Sequence, residues 1–257
     1  MAATSAGAIY PDLADKTVIV TGGGTGIGEA IVRRFAAQGA KTAFIDIKRT
    51  ESRALADDLA ALGCRIHFEH ADLTDIAALR SAIDNIRGHF GPIQILINNA
   101  AHDERHAALD VTPEYWDERI AVNLKHQFFA AQAVLPDMVK ANAGSIINFG
   151  STSWMVGQGG MAAYTAAKSG ILGLTRSLAR DFGQYNIRVN AIAPGWIMTQ
   201  RQIDLWLNAE AEAELMQRQC LKRKLVPDEI ARATLFFASD EASACTNQQY
   251  VVDGGWV

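Results

Sequence analysis

Short apolar runs rich in Val, Ile and Phe alternate along the chain with longer stretches whose apolar positions recur at helical spacing. The runs predict strands at 17–21, 41–46, 65–71, 93–98, 144–149, 187–193 and 249–252. The longer stretches predict helices at 26–38, 51–62, 75–90, 113–141, 160–183 and 228–238. Several strands are apolar almost without a break, as coverage of both faces requires. This alternation predicts an α/β fold, with a parallel sheet of about seven strands and helices on both faces. The helix near 113 has its own start signal: Thr112 as N-cap, Pro113 in the first helical position and Glu114 in the first turn. One stretch breaks the rhythm. After Pro194-Gly195 come Trp196 to Trp206 and then the alternating Ala209-Glu-Ala-Glu-Ala-Glu214, which reads as a solvated helix face. It follows the C-terminal end of a strand, the edge where open α/β sheets bind ligands.

Composition narrows the classes. No repeat, linker or compositional break divides the 257 residues, so a single domain over 1–257 is expected. Nearly half the residues are hydrophobic (49%) and a fifth are charged (20%), enough for a large core. A net charge of −4 argues against nucleic acid and acidic membranes as partners. Cys64, Cys220 and Cys245 have neither metal-ligand nor redox spacing and point to a reducing compartment. No His/Asp/Glu/Cys cluster has ligand spacing, so no metal is expected. Residues 1–9 lack the basic and apolar regions of a signal peptide, and no apolar stretch nears the ~20 residues of a membrane span. These features lead to the expectation of a soluble, cytoplasmic protein.

Two motifs carry chemistry. Thr21-Gly22-Gly23-Gly24-Thr25-Gly26-Ile27-Gly28 lies between a predicted strand and helix. Glycines there permit a tight turn and close approach of a pyrophosphate, whose charge is favoured at the helix N-terminus. Asp46 closes the second strand, eighteen positions after Gly28. An acid at that place accepts hydrogen bonds from the ribose hydroxyls of NAD and repels the 2′-phosphate of NADP. The glycine loop contains no Arg or Lys, and residue 47 is Ile. Lys48 and Arg49 leave room for dual use, but NAD is favoured.

The second motif is Ser151, Tyr164 thirteen positions on, and Lys168 four beyond that. Residues four apart share a helix face, with roughly 5–6 Å between Cβ atoms. Lys168 can then hold an ammonium near the Tyr164 hydroxyl and favour the phenolate, lowering a pKa that is about 10 when unperturbed. A tyrosine tuned in this way can exchange a proton with an alcohol or carbonyl.

In this order and spacing the chain resembles the short-chain dehydrogenase/reductase family over nearly its whole length. Gly22-x-x-x-Gly26-x-Gly28 matches that family's glycine spacing, and Asp72-Leu73 its adenine-contacting pair. Asn98-Asn99-Ala100 matches the element after the fourth strand, although Ala101 stands where the family has Gly. Pro194-Gly195 with Thr199 matches the segment that holds the nicotinamide carboxamide. The resemblance implies a Rossmann-type doubly wound fold and a catalytic set of Asn123, Ser151, Tyr164 and Lys168. It implies that Asn123 holds a water joining Lys168 to solvent. The implied NAD site is Gly22, Thr25, Gly26, Ile27, Gly28, Asp46, Ile47, Asp72, Leu73, Asn99, Tyr164, Lys168, Pro194, Gly195, Ile197 and Thr199. It also implies a homotetramer built through the helices containing Asn123 and Tyr164.

Finer texture resembles the NAD-dependent sugar dehydrogenases of this family, of the D-xylose 1-dehydrogenase type. The strings are Asn98-Asn-Ala-Ala-His-Asp-Glu-Arg-His106, Tyr115-Trp-Asp-Glu-Arg-Ile120, Asn148-Phe-Gly-Ser-Thr-Ser-Trp154 and Gln219-Cys-Leu-Lys-Arg-Lys-Leu-Val-Pro227. That points to a monosaccharide substrate, for which His102, Asp103, Ser151, Trp154, Gln158, Tyr164, Trp196 and Arg201 are candidate contacts. A sugar site needs a few hydrogen-bonding groups and a flat surface against the ring. The expected reaction is oxidation of an aldose at its anomeric carbon to a lactone. Alternatives are a polyol dehydrogenase, a 3-oxoacyl or ketone reductase, or a non-catalytic dinucleotide sensor. The last is opposed by the intact Tyr164 and Lys168.

Overall fold

The computed structural model describes residues 7–257; most of the segment examined for a signal peptide lies outside this range. One seven-stranded parallel sheet organises the described chain, in the order β3-β2-β1-β4-β5-β6-β7. The strands are β1 (Thr17–Thr21), β2 (Lys41–Asp46), β3 (Ile66–His70), β4 (Ile95–Asn98), β5 (Gly144–Phe149), β6 (Ile187–Pro194) and β7 (Gln249–Val252). Strand order reverses between β1 and β4, whose paired ends are Thr21 and Asn98. Such a switch point opens a crevice at the C-terminal ends of the strands.

Alternation along each strand supplies two cores. Val18, Val20, Ile95 and Ile97 pack on one face with α1 (Gly26–Ala37), α2 (Arg49–Ala61) and α9 (Pro227–Ala238). Ile19 and Leu96 pack on the other with α3 (Ile76–Phe90), α5 (His126–Ala141) and α6 (Ala162–Phe182). The inner strands are thus apolar on both sides, which explains the unbroken runs in the sequence. Among the described residues no helix is long and apolar enough to cross a membrane.

Two elements depart from the expected helices. The stretch expected as one helix over 113–141 is α4 (Pro113–Ile120), a π-helical turn (Ala121–Lys125) and then α5. At the break, the Asn123 side-chain amide donates to the Arg119 carbonyl at 2.9 Å. An α register would offer that carbonyl to the Asn123 backbone N–H, so the side chain competes with the helix for it. The irregular stretch after β6 is two helices, α7 (Gln200–Trp206) and α8 (Ala209–Arg218). Thr199 caps α7 by accepting from the Gln202 N–H, and Asn208 caps α8 by accepting from that of Ala211. Glu210 and Glu214 are exposed, as the reading of a solvated face required.

Candidate active site

The loop between β1 and α1 is shaped by close backbone approach. Gly22 and Gly26 have φ of +64° and +61°, the left-handed region that favours glycine. A Cβ on Gly28 would stand 1.8 Å from the Gly22 carbonyl oxygen, so no other residue fits there. Thr25 gives α1 no side-chain cap, which leaves its first-turn N–H groups free for an anion. Asn99 braces the loop by donating to the carbonyls of Thr21 at 3.1 Å and Gly22 at 2.9 Å. Ala101 is exposed and its backbone is not left-handed, so an alanine stands there without backbone strain. The cradle therefore suits a dinucleotide pyrophosphate.

Asp46 is buried beside this loop. Its two carboxylate oxygens accept the backbone N–H groups of Gly24 and Lys48, each at 2.8 Å. The negative charge is thereby fixed at the end of β2, with the exposed Ile47 next to it. Asp72 and Leu73 follow β3; Asp72 accepts from both the backbone and the hydroxyl of Thr74. Across the crevice, Pro194, Gly195, Ile197 and Thr199 leave β6, and Gly26 faces the Thr199 methyl. All the expected cofactor positions thus gather at one edge of the sheet.

Ser151 stands just beyond β5, and its hydroxyl donates to Ser153 Oγ at 2.9 Å. Tyr164 and Lys168 lie on α6, one turn apart. The Ser151 hydroxyl, close to the Tyr164 phenol, favours its ionised form. Burial has the larger opposite effect, and the Asp103 charge adds to it, so the phenol is pushed well above its ordinary value. Lys168 is buried and donates to the Phe149 carbonyl at 2.8 Å, with its nitrogen 5.7 Å from the Tyr164 ring centroid. Burial pushes its pKa down to about 7, against the opposing pull of Asp103. The direction is opposite to the one expected from Lys168: burial of the phenol outweighs what favours its ionised form.

Asn123 sits fully buried in the π turn, as its inward helical position suggested. Its amide accepts from the His102 N–H at 2.9 Å and donates to the His102 carbonyl at 3.1 Å. It therefore anchors the loop after β4. On that loop the His102 ring pairs through Nδ1 with Arg119, a buried residue that also reaches Glu104. Burial first, then the charges of Arg119 and Arg201, hold His102 below the usual imidazole range. A neutral ring whose Nδ1 accepts from Arg119 carries its proton on Nε2 and can donate to a ligand oxygen.

The other candidate contacts are brought together unevenly. Trp196 Nε1 donates to Gln202 at 2.8 Å, and Arg201 pairs with Asp103 at 3.0 Å. Trp154 is half-buried on the loop after Ser151. Gln158 is exposed, and its backbone N–H donates to the Ser153 carbonyl at 3.0 Å. Sequence reasoning missed Arg105, Arg119, Gln202 and Trp206. Arg119 had a signal, since it lies four positions before Asn123 on a helix. No metal-binding cluster of His, Cys, Asp or Glu is found among the described residues.

Comparison with known proteins agrees with this geometry. The protein-family profile described as enoyl-(acyl carrier protein) reductase matches residues 22–257. The chain is 49% identical over 247 residues to a protein of Rhizobium meliloti (strain 1021) named probable galactose dehydrogenase, covering 96% of each chain. It is 45% identical over 249 residues to the D-xylose 1-dehydrogenase of Caulobacter vibrioides, covering 97% of this chain and 98% of that one. Identity to a 3-oxoacyl-[acyl-carrier-protein] reductase of Chlamydia pneumoniae is 35% over 243 residues, covering 95% and 97%. A solved structure from Sinorhizobium meliloti 1021, assigned as a short-chain alcohol dehydrogenase, superposes with a TM-score of 0.91 at 32% identity and covers 96% and 98%. The chain belongs to the short-chain dehydrogenase/reductase family and is an oxidoreductase that uses a nicotinamide cofactor.

Proposed function

We propose that the protein is an NAD-dependent aldose 1-dehydrogenase that converts the anomeric hydroxyl of a monosaccharide to a lactone. The observation that carries the sugar assignment is its identity of 49% and 45%, over nearly the full chain, to two proteins named as sugar dehydrogenases. The fixed Asp46 carboxylate supports NAD, because it accepts from ribose hydroxyls and repels a 2′-phosphate. The cofactor, when bound, supplies a hydride acceptor; the protein supplies position and charge. Ser151 holds the anomeric oxygen, and Tyr164 in its ionised form takes the proton as general base. Lys168, anchored on the Phe149 carbonyl, presents a positive charge below the phenol. Asn123 keeps the His102 loop in register and connects the Lys168 side of the site to solvent. The neutral His102 ring donates to a sugar oxygen.

Reduction of 3-oxoacyl groups is the second reading, supported by the relative at 35% identity. Asp46 opposes it, since biosynthetic reductases generally use NADPH. Reduction of NAD across a panel of aldoses, polyols and 3-oxo esters tests the assignment. Turnover of a polyol or 3-oxo ester with no aldose oxidised would remove the sugar assignment and leave the oxidoreductase class standing. The reading includes a homotetramer, supported by the exposed Trp116 on α4 and Phe128 on α5. It places the enzyme in the cytoplasm, in keeping with three unpaired cysteines.

A further inference from the structure

Two side-chain bridges join loops that leave the sheet on either side of the catalytic serine. β4 and β6 flank β5 in the sheet, and Ser151 lies just past the end of β5. Asp103 and Arg105 belong to the loop after β4, and Arg201, Gln202 and Trp206 belong to α7, after β6. Asp103 accepts from Arg201 Nε at 3.0 Å through one oxygen and from Gln202 Nε2 at 2.6 Å through the other. The Arg105 guanidinium lies over the Trp206 ring, 3.9 Å from its centroid. A link from the β4 side to the β6 side must cross the C-terminal end of β5.

The first bridge is braced at its far end. Gln202 accepts from Trp196 Nε1 at 2.8 Å, and its own N–H donates to the α7 cap, Thr199. An isolated exposed ion pair adds little. A carboxylate held by two donors, one of them fixed by an indole and lying at a helix cap, is a stronger tie. The field of Asp103 at both Tyr164 and Lys168 agrees with a bridge lying close above the catalytic groups.

We infer that the Asp103–Arg201/Gln202 and Arg105–Trp206 bridges form an arch over Ser151 that sets the substrate class by shape. A compact polyhydroxylated ring fits beneath the arch and meets its polar underside. A substrate that trails a chain out of the cleft, such as a 3-hydroxyacyl thioester, is excluded on this side unless both bridges open. The inference rests on the aldose reading and explains why a site with this catalytic set would favour sugars over carrier-bound acyl groups.

The test compares the unmodified enzyme with Asp103→Ala/Arg105→Ala and with the milder Gln202→Leu. Three quantities are measured: kcat/KM for a pentose and for a 3-hydroxyacyl thioester, NAD binding by fluorescence titration, and the rate of tryptic cleavage within 200–218. Loss of the arch should raise the thioester-to-pentose ratio by at least about tenfold while NAD affinity stays within about twofold. Cleavage should accelerate in both variants. The inference is overturned if the unmodified enzyme uses the thioester as well as the pentose. It is also overturned if the variants lose pentose activity without a change in ratio or in cleavage. Should no aldose be oxidised at all, the functional reading fails. Absolute thioester turnover and the cleavage rate then decide the arch on their own.

Discussion

Replacing Asp46 tests the cofactor assignment. The carboxylate is 7% exposed and held by two backbone N–H groups, so it cannot swing away from an incoming 2′-phosphate. Two unit charges about 4 Å apart interact by about 4 kcal/mol at an effective dielectric constant of about 20. That corresponds to roughly a thousandfold discrimination, since each 1.36 kcal/mol or so is a factor of about ten. Salt and water at the crevice mouth reduce this, so a preference for NAD of at least about tenfold in kcat/KM is the floor. Asp46→Ala should erase most of the preference. It also leaves the N–H groups of Gly24 and Lys48 without their partner, at a stability cost of about 1–3 kcal/mol. The assay is steady-state oxidation of one aldose with each cofactor, alongside thermal unfolding of both proteins. Equal efficiency with NAD and NADP in the unmodified enzyme would refute the argument. So would an unchanged ratio in a folded Asp46→Ala.

Tyr164→Phe should leave NAD binding nearly intact and lower kcat by about 100- to 10,000-fold, which stopped-flow or long-time steady-state rates can resolve. In the unmodified enzyme sugar oxidation should rise with pH as protons leave the buried Tyr164–Lys168 pair. Asp103→Asn removes the negative charge that raises the proton affinity of both groups, so the acid limb of the kcat/KM profile should move to lower pH. The remaining charges about that carboxylate, Glu104, Arg119 and Arg201, are unchanged; a limb that stays in place would show that Asp103 acts only as a structural tie. His126 is fully buried, and burial and the Lys168 charge push its pKa down to about 3 from an ordinary 6.5. Its neutral form is favoured in the fold, so the stability linked to it is present above pH 6.5 and is lost as pH falls from there toward 3. A linkage of a few kcal/mol is expected, and His126→Gln should flatten chemical denaturation midpoints across that window.

The inner strands were legible because they are buried on both faces, which forces runs such as Val18-Ile19-Val20 and Ile95-Leu96-Ile97. The edge strand β3 is only partly buried, and it is shorter than its run suggested. The break at 121–125 was hidden because a side chain three turns into an otherwise regular pattern decides it. Periodicity does not report that competition. α7 has no buried residue and therefore no apolar stripe to read, although its cap, Thr199, stood in plain view. Spacing placed Tyr164 and Lys168 on one helix face, but their proton affinities depend on desolvation and on Asp103, sixty-one positions before Tyr164. Gln202 and Arg105 escaped notice for the same reason. Their partners lie about a hundred residues away, and no local pattern marks such pairs.

The account turns on the claim that hydride leaves C1 of an aldose while Tyr164 takes the hydroxyl proton. D-Xylose and D-galactose carrying deuterium only at C1 address it directly. The enzyme, NAD and each sugar are incubated together, and the reduced cofactor and sugar product are analysed by mass spectrometry. The account predicts one deuterium in the reduced cofactor, a lactone as first product from at least one of the sugars, and label transfer slowed by about 100- to 10,000-fold with Tyr164→Phe. Reduced cofactor without deuterium, or label transfer undiminished in the phenylalanine variant, would contradict it.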